Sequence, residues 1–210
     1  MKFEPFYLLK KFIPKIADGN ALDIGAGNGH NSFFMTNKQF RVIAIDTDEE
    51  KIKLLKKTAK KSNLKINVLK KDVRNFDFSK KIFNIILAVQ SLNFIKRSDF
   101  IKVISKIKEA VVENGIIIIS MFTKEDASFV QFKKFSEEIE KNTFFNKKSK
   151  NLRFFLEKNE LKKLFKDFEI LFYEEKIIKD APHDEMVAPH KHGIVQIVAK
   201  KKRAPNQISI

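Results

Sequence analysis

The stretch ALDIGAGNG at residues 21–29, followed by the apolar run Val42-Ile43-Ala44-Ile45 and then Asp46, decides how this chain is read. Glycines directly after a buried strand let the backbone turn sharply and approach a ligand that a Cβ would exclude. An acid closing the next strand is placed to accept hydrogen bonds from two ribose hydroxyls. Together they point to a nucleoside-containing cofactor, and the spacing separates the two main choices. A dinucleotide fingerprint needs glycine or alanine at its sixth position, where the helix end faces a pyrophosphate. Here the run from Gly25 is Gly-Ala-Gly-Asn-Gly-His, so His30 takes that position. Asp23 precedes the glycines, and its carboxylate would repel a pyrophosphate while attracting the amino group and sulfonium of S-adenosylmethionine (SAM). SAM is therefore the expected cofactor, with S-adenosylhomocysteine as its product. A tight turn with no ligand is the alternative.

Composition narrows the chemistry further. At 210 residues one domain is expected, large enough to bury a core without staples. The absence of cysteine excludes disulfides, thiolate zinc sites, iron–sulfur radical chemistry and methyl transfer through a cysteine nucleophile. No apolar run reaches the length of a membrane-spanning helix, and the charges in MKFEPFYLLKKF are too closely spaced for a signal-peptide core. A cytoplasmic protein without a membrane partner is expected, as a monomer or homodimer. The net charge of +16 invites a nucleic-acid reading. Yet the basic residues are mostly lysine, with arginine only at 41, 74, 97, 153 and 203. Arginine is the better residue for bidentate phosphate recognition. The lysines also fall as scattered pairs, which reads as a solvated surface; RNA, an anionic substrate or an acidic partner remain the alternatives.

Apolar runs alternate with helical patterns, the signature of βαβ units and a parallel sheet. A leading amphipathic helix is expected over 4–16, with strands at 20–25, 41–46, 65–69, 83–89, 116–121, 168–177 and 193–199. Helices are expected near 29–38, 48–61, 98–112 and 157–166, with Asn114-Gly115 as a helix stop. The polar, phenylalanine-studded segment 124–158 reads as a helix at 125–141 and then a loop or lid. The last two strands follow one another without a helix and must be antiparallel. The expected fold is α/β, a Rossmann-like, seven-stranded, mostly parallel sheet with an antiparallel last strand and helices on both faces. Residues 1–201 read as one domain, with 124–158 as a substrate-side insertion. A disordered tail is expected from Lys200 onward, with 202–210 beyond the domain.

Ligands of such sheets bind outside the carboxyl ends of the strands. The cofactor candidates are accordingly Asp23, Ile24, Gly25, Gly27 and Asn28 after strand one, Asp46 and Thr47 after strand two, Asp72 and Val73 after strand three, and Val89 at the end of strand four. Asp72 would take the adenine amino group, or simply cap the short segment after it. Gln90 and Ser91 follow Val89 without the Asn/Asp-Pro-Pro-aromatic tetrapeptide that holds an exocyclic amine, which disfavours nucleobase N-methylation. The polar connection 179–190 should run along the same edge, and His183, His190 and His192 fall in or beside it. They are candidates for acceptor binding or proton removal, for a metal, or for capping the hairpin. Lys179 and Lys191 nearby favour an anionic acceptor.

These motifs are similar to those of the tellurite-resistance (TehB-like) class I methyltransferases. The likeness rests on ALDIGAGNGHNSFFM, FRVIAID, Asp72-Val73-x-x-Phe76, FNIILAVQSLNFI, FFLEKNELKKLF, FEILFYEE and HGIVQIVAKK, and it runs from about residue 14 to 201. The resemblance implies a SAM-dependent transferase acting on a small acceptor, in some members an oxyanion of tellurium or selenium. Two departures touch the acceptor side: His30 stands where that family has arginine, and the C-terminal basic positions are lysine and histidine. A methyltransferase for a small, possibly anionic, acceptor is the first reading. An RNA- or protein-directed modifier or binding module and a nicotinamide oxidoreductase are the others.

Overall fold

The computed structural model describes residues 4–79, 82–179 and 191–203. Its frame is β1 (Asn20–Ile24), β2 (Arg41–Asp46), β3 (Ile66–Lys70), β4 (Phe83–Val89) and β5 (Val111–Phe122), all parallel, with β9 (Glu169–Lys179) and β10 (Lys191–Lys200) completing one sheet. The order is β3-β2-β1-β4-β5-β10-β9, and β10 runs antiparallel to both β5 and β9. The expected seven-stranded, mostly parallel sheet is therefore what forms. Chain order reverses between β1 and β4, which opens a crevice at their carboxyl ends.

Alternation along each strand divides the core between two faces. Leu22, Ile86, Ala88, Ile117 and Ile119 face α4 (Arg97–Ala110), whose buried Phe100, Val103, Ile104 and Ile107 recur at helical spacing. Ala21, Ile85, Leu87, Ile116 and Ile118 face the other way, against Leu8, Leu9 and Phe12 of α1 (Tyr7–Phe12) and Met35 of α2 (His30–Asn37). The expected leading helix is thus shorter, and it continues as one 3-10 turn through Lys15. α3 (Glu49–Lys61) covers β2 and β3 with Ile52, Leu55 and Ala59. Asp48 caps it by accepting from the backbone of Glu50 and Lys51, while Lys60 and Lys61 sit in its last turn.

Three sequence expectations fail. Asn114-Gly115 does not stop a helix. α4 ends at Ala110, and Asn114, at φ 60°, lies in a bulge inside β5. The pairing jumps there, from Phe83 opposite Val111 to Ile85 opposite Ile116. Helix over 125–141 is also wrong. α5 (Ala127–Phe135) ends early, and β6 (Glu137–Glu140), β7 (Thr143–Asn146) and β8 (Asn151–Phe154) form a separate antiparallel sheet in place of a loop. Asn142 and Lys150, both in the left-handed region, make its two turns. Its buried Phe144 and Phe154, with Phe155, explain the phenylalanines of this segment. Finally, Lys200 closes β10, and Lys201 is tied down rather than disordered. Its backbone N donates to Gly115 O at 3.0 Å and its Nζ to the carbonyls of Lys108 and Val111 at 2.8 and 2.9 Å. The expected tail from 204 onward lies outside the described residues. The short α6 (Glu160–Leu164) then leads into β9.

Candidate active site

The glycine loop is shaped by its neighbours. Gly25 has φ +70°, and a Cβ there would stand 2.3 Å from the Cβ of Ser91, so both conformation and space require glycine. The backbone N–H groups of Gly25 and Ala26 both donate to Ile45 O, locking the loop to β2. Gly27 N then donates to Asp46 Oδ2 at 2.8 Å, and Asp48 N to Asp46 Oδ1 at 2.9 Å. Each Asp46 oxygen takes one backbone donor and keeps further acceptor capacity. Asn31, at the start of α2, accepts from Phe6 N at 2.8 Å and so ties the loop's helix to the N-terminal segment.

A cleft of about 550 Å³ opens at this edge. Gly25, Gly27, Asp46 and Thr47 line one part of it, and Ile24, Asp72 and Val73 another. Three of the nominated cofactor residues do not line it. Asn28 is exposed, Val89 packs with the core cluster of α1, and Asp23 is buried below the loop. Asp23 accepts from Ser32 Oγ at 2.6 Å. Burial pushes its carboxyl up to about 6, the Ser32 bond opposing and the charge of Asp46 adding to the rise. Asp72 caps the 3-10 turn Val73–Asn75 by accepting from Arg74 N at 2.9 Å. The Arg74 guanidinium, whose Nη2 stands 2.6 Å from Asp72 Oδ2, holds that carboxyl below the usual carboxylate range.

The cleft also contains residues that sequence pattern did not nominate, among them Lys71, Arg74 and Phe94. Gln90 adopts φ 48°, and Ser91 Oγ is buried with no hydrogen-bond partner among the described residues. A glycine cradle, a carboxylate with spare acceptor capacity and an orphan hydroxyl fit a nucleoside-bearing ligand. Arg74 follows directly from the nominated Asp72-Val73 and holds Asp72, whereas nothing in the local pattern announces Phe94.

Beyond Phe94 lies the end of β5. Asn93, fully buried, accepts from Phe122 N at 3.0 Å and donates through Nδ2 to Phe154 O at 2.6 Å, joining the main sheet to β8. His192 on β10 sits with Nδ1 2.8 Å from Asp126 Oδ2. Asp126 is buried and also caps α5 by accepting from Ser128 N and Ser128 Oγ. Gly193 makes this approach possible, since a Cβ there would lie 2.3 Å from the backbone of Glu125. The expected helix from 125 would have held Asp126 in its first turn; the structure makes it the cap of α5, and nothing local in the sequence paired it with His192. His183 and His190 lie outside the described residues. Among the described residues, no three His, Asp or Glu side chains gather as a metal site, and no helix is long and apolar enough to cross a membrane.

Residues 21–115 match the family described as "Methyltransferase domain". The chain is 25% identical over 189 residues to a probable S-adenosyl-L-methionine-dependent methyltransferase TehB of Haemophilus influenzae. That alignment covers 89% of this chain and 59% of the relative, so the chain spans less than two thirds of that protein's length. The crystal structure of Haemophilus influenzae TehB superposes with a TM-score of 0.74 at 23% identity, over 94% of this chain and 62% of that one. The Burkholderia thailandensis 1,6-didemethyltoxoflavin-N1-methyltransferase, solved with 1,6-didemethyltoxoflavin and S-adenosylhomocysteine, superposes at 0.66 with 16% identity, over 94% and 76% of the two chains. With its glycine loop, its Asp46 and its reversed β10, the chain matches the methyltransferase-domain family over residues 21–115 and shares its fold with TehB and the Burkholderia methyltransferase.

Proposed function

We propose that this chain binds SAM in the cleft beside Asp46 and transfers its methyl group to a small-molecule acceptor. One observation carries the reading. Asp46 is oriented by Gly27 N–H and Asp48 N–H, and it borders a cleft whose floor is a glycine loop. A carboxylate pre-positioned by backbone donors suits the two hydroxyls of a ribose, and it loses little side-chain entropy on binding. Ile24, Val73 and Ile95 offer apolar surface for an adenine ring.

Bound SAM supplies an electrophilic methyl on a sulfonium. The chain's share of the chemistry is then positioning, because in-line displacement demands alignment more than covalent help. Gly25 and Gly27 let the backbone approach the ligand. Asp23, one layer below, adds negative charge where a cation would lie. The acceptor would enter from the side of Phe94, with the end of β5 and the segment 124–158 as its walls. The small heterocycle held by the Burkholderia enzyme, which shares this fold, supports a small acceptor rather than a macromolecule.

Calorimetry on the full chain tests this. Micromolar binding of SAM and S-adenosylhomocysteine is expected. Asp46→Ala should weaken both by at least roughly 10- to 100-fold, the value of losing one of its two charge-assisted hydrogen bonds to the ribose. Absence of heat with either ligand in the parent chain overturns the proposal.

A further inference from the structure

Five arginines stand among the lysines of this chain, and three of them have ordinary partners. Arg41 donates to Asn20, Arg74 binds Asp72, and Arg97 is paired with Glu160. Arg153 on β8 differs. Its guanidinium carbon lies 4.4 Å from the ring centre of Phe94, 5.2 Å from Phe122 and 5.7 Å from Phe132. Its Nε is buried and has no hydrogen-bond partner among the described residues. Burial pulls its pKa down, with the charge of Asp126 as the opposing influence. Asp126 is already committed, since Oδ1 takes Ser128 and Oδ2 faces His192. A desolvated cation without a directed partner is costly, and the aromatic rings offset only part of that cost.

The surroundings indicate what would complete it. Phe94 is 52% exposed and lines the cleft, so the guanidinium stands one ring away from the proposed cofactor. The guanidinium carbon, 4.4 Å from the Phe94 ring centre, stands beside the one ring of the three that lines the cleft. Nε is enclosed, whereas the two Nη atoms are not, and together they make a fork that can grip a carboxylate in two parallel bonds. The walls are phenylalanine rings, which favour an anion carrying an apolar body over a hydrated inorganic one.

We propose that Arg153 is the acceptor-specificity residue, and that it binds the carboxylate of a small organic acceptor whose apolar body packs on the exposed ring of Phe94. This rests on the methyltransferase reading for its purpose but not for its measurement. The arginine acts as a handle that positions the acceptor, while its methylated atom lies elsewhere on the same molecule.

The test uses benzoate and hexanoate as probes, titrated into the full chain by calorimetry with and without saturating S-adenosylhomocysteine. At least one carboxylate should bind, and its uncharged amide should not. Arg153→Gln should weaken that binding by about tenfold or more, with Arg153→Lys falling between the two. S-adenosylhomocysteine affinity should be the same in all three proteins, which also shows that the variants are folded. Equal binding of acid and amide, equal binding to the parent and Arg153→Gln, or failure of both carboxylates overturns the proposal. Selenite binding in an Arg153-dependent manner while both carboxylates fail assigns the site to an inorganic oxyanion and overturns it equally. If carboxylates bind but S-adenosylhomocysteine does not, the arginine site stands and the methyltransferase reading falls.

Discussion

On the Asp46 side of the cleft the decisive contacts run through the backbone, with Gly27 N–H and Asp48 N–H holding the carboxylate and Gly25 N–H holding the loop to β2. On the far side they run through side chains that meet across long stretches of chain. Asn93 reaches Phe154, Asp126 reaches His192, and Arg153 reaches Phe94. Backbone contacts depend on glycine and strand order, which many sequences can supply. Side-chain contacts depend on particular residues, and so one frame can keep its cofactor edge while its acceptor edge changes.

Asn93 is where the two sides join, and removing it should have the largest effect. Asn93→Leu keeps the volume but strands the buried N–H of Phe122 and the carbonyl of Phe154. Each such group costs about 1–3 kcal/mol, so a loss of about 2–6 kcal/mol is expected in urea unfolding. S-adenosylhomocysteine affinity should fall by less than about threefold, while carboxylate binding at Arg153 should disappear. Equal damage to both would show that the two sides are one unit.

Asp23 provides a pH-dependent test of the cofactor side. Its folded pKa, about 6, lies above the usual carboxylate value, so the protonated form favours the folded chain. That contribution is complete below about pH 4 and is lost as pH rises through about 6, which amounts to roughly 3 kcal/mol. Asp23→Asn should therefore gain stability relative to the parent steadily between pH 4 and 7. At pH 7 the same variant should bind SAM less tightly, because the charge below the loop is gone. A stability difference that stays flat across this pH range removes the argument that an ionised Asp23 is held at a cost for the ligand.

The same division decides how much could be read from the residues. Strands at 41–46 and 83–89, the capped helix after Asp48 and the reversed β10 follow from local pattern and connection length. Glu137 to Lys141 look helical because glutamate and lysine favour helices. Pairing of Glu137 with Phe145, and burial of Phe144, outweigh that preference. Asn114-Gly115 carries a helix-stop signature, yet the chain spends it on a bulge inside β5. Arg153 gave no signal, since its meaning depends on three rings brought together from residues 94, 122 and 132.

Asp72 is the finest test, because it belongs to the cofactor side by position and to the side-chain style by contact. Arg74 occupies it from three directions, through its backbone N, its Nε and its Nη2. A carboxylate so engaged has little left for an adenine amino group, and capping is then its main work. Asp72→Ala should cost about 1 kcal/mol of stability, the usual value of a lost cap. S-adenosylhomocysteine binding should weaken no more than about threefold. A loss beyond about tenfold, matched by equal loss when the adenine amino group is replaced by a carbonyl in the inosine analogue, would make Asp72 a base reader. The cofactor side would then also depend on a particular side chain, and the contrast between the two edges would narrow to one of degree.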